Sequence, residues 1–449
     1  MNLIYGVKDK PKFPQIIAFA LQQLLAIMAA TIAVPAIVGN GMTASAALFG
    51  AGVGTLVYVL FTKFSSPVFL GSSFAFLGSM SAAFAGAVSS VYLGYLGLII
   101  GAVFAGLVYV VLAILVKLIG VNWISKLMPP VVIGPTVAII GLSLASNAIG
   151  DLKTADAGGS HYIALICGLV TLVVTMLAST YGKKMMRLIP FIIGILAGYA
   201  LALVFTVIGN SAGIESLKII DFAPFKALVD GGVGIKTFLS VPDFTFINAF
   251  KGLGELKASY IGTIAVAYIP VAFVVFAEHI ADHKNLSTII DKDLLKEPGL
   301  ARTLLGDGIG SMAGAFFGGC PNTTYGESIG CVAITRNASV ATIIAAAFSC
   351  LIISFISPFV AFVDSIPACV MGGVCIALYG FIAVSGLKMI QGIDLGENHN
   401  LFVVSAILIA GVGGLSLTFG KVTLTSVACA LLLGIFTNII LKKKSSDNK

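Results

Sequence analysis

The sequence predicts an all-α integral membrane protein whose fourteen transmembrane segments form two inverted seven-span repeats. Three observations predict it: a composition too apolar for water, apolar runs of membrane-crossing length, and two broken runs at corresponding places in the two halves. Of 449 residues only 10 % are charged and 58 % are hydrophobic, with a mean hydropathy of +1.07. Soluble domains carry roughly 25 % charged and 45–50 % apolar residues. Fifty-one glycines and a single Trp suit helices packed backbone to backbone, where lipid supplies no hydrophobic drive for association. The same figures exclude a disordered chain and a nucleic-acid-binding surface. A net charge of +7 needs no acidic partner, because basic loops on the cytoplasmic side account for it.

The seven cysteines include no C-x-x-C pair. Cys167, Cys331, Cys350, Cys369, Cys375 and Cys429 lie inside apolar runs and Cys320 stands beside a proline, so neither disulfides nor a metal site is expected, and no cofactor. The basic start, with Lys8, Lys10 and Lys12, leads into an apolar stretch too long for a signal-peptide core and without a clear cleavage site, so it reads as a retained first span.

About 20 apolar residues cross the ~30 Å hydrocarbon layer. Such runs recur near 14–37, 44–62, 93–119, 129–148, 162–180, 188–209, 259–281, 302–319, 338–358, 367–387, 400–418 and 422–441. Two further stretches, 65–88 and 320–336, are apolar but interrupted, one by Ser65-Ser66-Pro67 and Gly71-Ser72-Ser73, the other by Pro321-Asn322-Thr323-Thr324 and Gly326. Counting both places nineteen of the 26 basic residues on the side of the termini, including Lys63, Lys126, Lys183, Lys184, Arg187 and the run Lys442 to Lys444. Both termini are therefore expected in the cytoplasm.

The 210–257 connection separates two sets of seven spans. Pro129-Pro130-Val131-Val132-Ile133-Gly134 and Pro367-Ala368-Cys369-Val370-Met371-Gly372 echo each other, and the broken spans are the third and the tenth. An odd number of crossings per half inverts the second repeat. Short interrupted segments in corresponding positions mark a transporter's midplane site, which places the substrate between Gly71 to Phe74 and Tyr325 to Ser328.

Acids inside a membrane cost about 2.5–3.5 kcal/mol at a helix centre and face the protein interior. Glu278, Asp307 and Glu327 lie within or against spans, and Asp282 follows Glu278 by one turn. Asp307, between Gly306 and Gly308, is equally readable as part of helix packing. If the eighth span stops near Ala281, then Asp282, His283 and Lys284 form a solvated edge; that is the expectation for His283, while His279 and Asp282 stay open. A carboxyl in a dry interior holds its proton more tightly than in water, the chemistry of a proton-coupled carrier.

With these residues in view, the chain resembles the nucleobase-ascorbate transporter family, and within it the bacterial uracil permeases. The carrying strings are Ala277-Glu278-His279, Pro321 to Glu327 leading to Thr335-Arg336, Gly71 to Phe76, and Asp293-Leu294-Leu295-Lys296-Glu297-Pro298-Gly299-Leu300. The resemblance implies a core domain (14–119 and 259–358), a gate domain (129–209 and 367–441), an extracellular connection (210–257), and short paired strands opening spans three and ten. It implies that Glu278 and Glu327 accept the ring N–H groups of uracil, that Phe74, Tyr325, Gly326 and Ala30 shape the pocket, and that the gate helices form a homodimer. Glu278 and Asp282 become the proton-coupling candidates, with Asp307 a structural or coupling candidate.

Three positions depart from the family's pattern. Ser328 stands where Asn is common, Gln22 and Gln23 replace a Gln-His pair, and Asp282 occupies a position that is His in some uracil carriers and acidic in some xanthine carriers. Glu327 pulls back toward uracil, because xanthine and uric acid carriers usually have Gln there. The alternatives are a proton-coupled purine carrier and an anion exchanger of the sulfate-transporter type. The latter would want positive charge at the site and usually appends a cytoplasmic domain, for which the few residues after Leu441 leave no room. A membrane enzyme is disfavoured: Gly209-Asn210-Ser211-Ala212-Gly213 fits G-x-S-x-G but lacks the strand before it.

Overall fold

The computed structural model describes residues 3–121, 123, 128–183, 185–419 and 422–441. Lys126, Lys184 and Lys442 to Lys444, assigned above to the cytoplasm, lie outside the described residues. The first half runs through α1 (Phe13–Val38), α2 (Ala44–Phe61), β1 (Leu70–Ser72), α3 (Leu77–Gly86), α4 (Val91–Ile119), α5 (Pro130–Ser143), α6 (Ala145–Leu152), α7 (His161–Tyr181) and α8 (Pro190–Ala212). The 210–257 connection contributes α9 (Ala223–Val229) and α10 (Thr245–Lys251). The second half runs through α11 (Ala258–Ile290), α12 (Leu300–Gly318), β2 (Asn322–Thr324), α13 (Gly326–Thr335), α14 (Val340–Ile353), α15 (Ser357–Asp364), α16 (Ala368–Met389), α17 (Asn398–Val412), a hairpin of β3 (Leu417–Phe419) and β4 (Val422–Leu424), and α18 (Ser426–Leu441). Among the described residues, eight helices are long and apolar enough to cross a membrane, and four shorter apolar helices accompany them.

Local chemistry sets several helix starts. Thr43, Ser90 and Ser160 each accept a hydrogen bond from a first-turn backbone N–H, and α1, α5 and α8 carry Pro in the first turn, where no N–H is needed. The eighth apolar run extends well past its expected end. α11 continues to Ile290 and stops only where Asp291 turns left-handed at φ 55°, so the expected solvated edge does not form: His283 is fully buried within the helix. Gly209 to Ala212 form the last turn of α8 and Gly213 its cap at φ 68°, so no nucleophile elbow exists there.

The 210–257 connection is folded onto its neighbours. Thr206 on α8 accepts from the N–H groups of Ile219 and Ile220, both at 3.0 Å. Further along, Ser240 N–H donates to Phe355 O at 2.9 Å, and the Phe246 ring on α10 stacks on Phe316 of α12 with centroids 4.8 Å apart.

Two features position the centre of the molecule. First, α2 and α12 meet through glycines: a β-carbon on Gly54 would lie 2.7 Å from the Gly310 carbonyl oxygen, and one on Gly310 would lie 2.7 Å from the Gly54 oxygen. Second, β1 and β2 pair antiparallel, with Leu70 opposite Thr324, Gly71 opposite Thr323 and Ser72 opposite Asn322. The pair is extended by Ser73 N–H to Pro321 O (2.9 Å) and Tyr325 N–H to Phe69 O (3.2 Å). Thr55 of α2 brackets Leu70, accepting from its N–H at 2.9 Å and donating to its carbonyl at 3.1 Å.

Gly310→Ala should force α2 from α12 and press on Leu70, whose side chain a new β-carbon would meet at 2.8 Å. Overpacking of this kind costs about 1–3 kcal/mol, read as a lowered thermal midpoint in detergent. Gly262→Ala, whose new methyl meets nothing within 4 Å, should leave the midpoint unchanged. Ser328→Ala should also lower it: the Ser328 hydroxyl accepts from Phe69 N–H at 3.1 Å, and an unpaired buried N–H costs about 1–3 kcal/mol.

Candidate functional site

The strand pair ends where two helices begin. β1 passes through Ser73 into a turn at Phe74–Phe76 and then α3, and β2 passes through Tyr325 into α13. The first N–H groups of a helix have no partner within it and carry partial positive charge, so the start of α13 presents donors beside Gly326 and Glu327. The strands are held by Tyr325 itself. Its hydroxyl donates to Ser72 O at 2.6 Å, and its ring lies against Gly71, where any side chain would collide with it.

A cavity of about 50 Å³ adjoins this junction. Glu278, Glu327, Phe74, Tyr325 and Gly326 line it, with Thr323 and Thr324 of β2 and, from the other side, Ile140 of α5 and Ile382 of α16. A larger cavity of about 340 Å³ shares Glu278, Gly326, Glu327 and Ile382 and continues past Ala26, Ala281 and Asp282 to Ser179, Arg187, Ser385 and Met389. The structure thus brings together five of the sequence-derived site residues, Glu278, Glu327, Phe74, Tyr325 and Gly326, in the small chamber and puts Asp282 in the larger one. Phe74 also meets Tyr379 edge to face, with centroids 5.7 Å apart.

Glu278 and Asp282 share one face of α11 through their i, i+4 spacing. Asp282 accepts a hydrogen bond from the Thr324 hydroxyl at 2.7 Å, which ties the helix to β2. Thr324 was not singled out from the sequence, although it lies inside the broken-span string; its partner is 42 residues away, and no local pattern announces such a bond.

Two residues sit elsewhere than the sequence reading places them. Ala30 is buried in α1 and lines neither cavity; the α1 residue at the larger cavity is Ala26, one turn earlier. Ser328 is fully buried and also lines neither. Its hydroxyl faces Phe69, and its carbonyl accepts from Gln23 Nε2 at 3.3 Å. Gln23 therefore braces α13 against α1.

A neighbouring face of α11 carries a buried polar network. His279 Nδ1 lies 2.7 Å from Asp307 Oδ2, and its Nε2 lies 3.0 Å from the Thr303 hydroxyl. Thr303 spends its one hydrogen on the Leu300 carbonyl, so Nε2 is the donor and one proton is shared between Nδ1 and Asp307. His283 Nδ1 donates to the His279 carbonyl at 2.8 Å, and its Nε2 meets the Tyr58 hydroxyl at 2.7 Å. Asp307 is thus in neither cavity just described; it fastens α12 to α11 behind the site. Among the described residues no group of three or more His, Cys, Asp or Glu could hold a metal ion.

Solved structures with the same arrangement are transporters. The murine Solute Carrier 26 family member A9 anion transporter superposes with a TM-score of 0.66 at 12 % identity, covering 97 % of this chain and 69 % of that one; at that identity the likeness is one of fold. Sequence relatives are much nearer. The chain is 37 % identical to the uracil permease of Bacillus subtilis (strain 168), over 98 % of this chain and 96 % of that protein. It is also 37 % identical to the uracil permease of Bacillus caldolyticus, over 98 % and 94 %. The model of the Permease family that covers xanthine and uracil permeases matches residues 14–419. The chain, a multi-pass membrane protein, belongs to that permease family.

Proposed function

We propose that this permease imports uracil together with a proton by alternating access. The observation that carries the reading is the meeting of Glu278 and Glu327, from distant parts of the sequence, at one small chamber beside the open N-terminus of α13. Uracil is planar and neutral, with N1–H and N3–H on either side of the C2 carbonyl and a second carbonyl at C4. Two carboxyl groups accept the two N–H donors, and backbone N–H groups at the start of α13 satisfy the C2 carbonyl. Phe74 and Tyr325 supply apolar surface for the ring. Relatives named uracil permeases over essentially the whole chain support the same substrate.

In this reading the chain crosses the membrane fourteen times, the eight long and four shorter apolar helices being joined by α12 and by the β2 to α13 segment. Segments 14–119 and 259–358 form the core domain, and 129–209 and 367–441 the gate domain. The distribution of Lys and Arg puts both termini in the cytoplasm. Arg187 then lies on the cytoplasmic side, so the larger cavity is the inward exit. The gate helices pair two copies in the bilayer.

Glu278 is the proton-coupling group, because it lies where both cavities meet and has Asp282 one turn away on the same face of α11. Asp282, one turn nearer the exit and held by Thr324, passes the proton between the vestibule and Glu278. A proton entering down ~100 mV supplies about 2.3 kcal/mol, enough for roughly a fifty-fold gradient of a neutral solute. Asp307 with His279 anchors the helix that carries both carboxyls.

Radiolabelled uracil uptake tests this directly. Glu278→Gln should abolish accumulation against a gradient; full uphill uptake by that variant, insensitive to a protonophore, would overturn the assignment. Glu327→Gln should weaken uracil competition by about tenfold, because the amide oxygen still accepts but without the carboxylate's charge, and should admit xanthine. Neither 1-methyluracil nor 3-methyluracil should compete with uracil in the unmodified protein, since each lacks one of the two donors.

A further inference from the structure

We infer that Ile140 and Ile382 form the wall that reads position 5 of the pyrimidine ring, and so exclude 5-substituted bases such as thymine. The inference rests on the function proposed above and adds the determinant of selectivity among pyrimidines. In the six-membered ring N1 and N3 flank C2, and C5 stands diametrically opposite. If two carboxyl groups grip N1–H and N3–H, the C5–H edge must point away from them. Every other residue lining the small chamber comes from the segment Ser73 to Ala75 just after β1, from α11, or from β2 and the start of α13; Ile140 on α5 and Ile382 on α16 are the two that close it from the other side. The C5–H, which has no hydrogen-bonding group, therefore meets two side chains without polar atoms, so neither surface buries a polar group at that contact.

This wall is stiff. α5 and α16 touch backbone to backbone beside the isoleucines: a β-carbon on Gly134 would lie 2.8 Å from the Gly386 carbonyl oxygen, and one on Gly141 would lie 2.8 Å from Ala383 N. Ile140 is buried, at 3 % exposure, and a β-branched side chain has few rotamers in a helix. Tyr379, one turn before Ile382, is itself braced by Phe74. A methyl group at C5 therefore cannot be accommodated by a small shift of one side chain. Discrimination by one methyl group in an apolar pocket amounts to about 10- to 200-fold.

The test is uptake of radiolabelled uracil competed by uracil, thymine and 6-methyluracil in the unmodified protein and in Ile140→Ala, Ile382→Ala, Ile140→Val and Ile382→Val. The expected result is that thymine's inhibition constant, relative to uracil's, falls about tenfold or more in the Ala variants and less in the Val variants, while the 6-methyluracil ratio stays put. Where a variant no longer transports, ligand-induced thermal stabilisation of the purified protein by thymine and by uracil supplies the same ratio. A thymine-to-uracil ratio unchanged in variants that still bind uracil overturns the assignment, as does an equal gain for 6-methyluracil. Loss of all binding in both Val variants also counts against it, because one methyl group removed from an apolar wall should weaken uracil by no more than about fourfold. Failure of the unmodified protein to accumulate uracil would refute the proposed function instead, so the two failures are told apart.

Discussion

Backbone N–H and C=O groups in the middle of a membrane protein must find partners within the protein, and helices that stop there leave theirs open. This chain meets the constraint by pairing the two broken segments with each other. Leu70 to Ser72 and Asn322 to Thr324 exchange their backbone hydrogen bonds as an antiparallel ladder, and Thr55 takes both groups of Leu70 from the side. The pairing is what allows α13 to begin deep inside the molecule, with its first N–H groups and Glu327 at a cavity rather than at a surface. Gly71 is part of the same arrangement, since only a residue without a side chain lets the Tyr325 ring lie across the strand.

The helix facing that junction has two separate tasks, divided between two faces. Glu278 and Asp282 turn toward the cavities, while His279 and His283, each one residue further on, turn into the protein and lie with their tilted rings 4.0 Å apart between centroids. The inward pair fixes α11 to α12 through Asp307 and to α2 through Tyr58. Removing one partner from a buried pair of this kind costs about 3–5 kcal/mol, which makes the carboxyl-bearing face a rigid surface rather than a mobile one. The cavity side chains are then held in fixed positions, with the facing wall supplied by Ile140 of α5 and Ile382 of α16.

The legible part of this organisation follows from simple causes. Proline, glycine and clustered hydroxyl residues near Pro67 to Ser73 and Pro321 to Gly326 cannot continue an apolar helix, so the breaks are visible in the amino-acid order. Carboxyls amid apolar runs are too costly to be accidental, which marks Glu278 and Glu327. His283 lies inside the protein although the apolar run fades before its helix ends: Asp282, His283 and Lys284 look like a solvated edge, yet Tyr58 and the His279 carbonyl satisfy the imidazole inside. Ala30 and Ser328 differ for another reason. Being near a site along the chain does not fix which way a side chain points, and Ser328 turns toward Phe69 rather than toward the chamber.

The sequence by itself determined that the chain spans a membrane, where its helices break and which acids are too expensive to be idle, because each of these depends on the transfer energy and conformational limits of single residues and short runs. Only the tertiary structure decided that Thr324 holds Asp282, that Asp307 serves α11 from behind, and that Ile140 and Ile382 close the chamber. Those are contacts between segments far apart in the chain. Their existence depends on which glycine faces let helices approach and on the register of two three-residue strands, and neither is encoded in any local pattern.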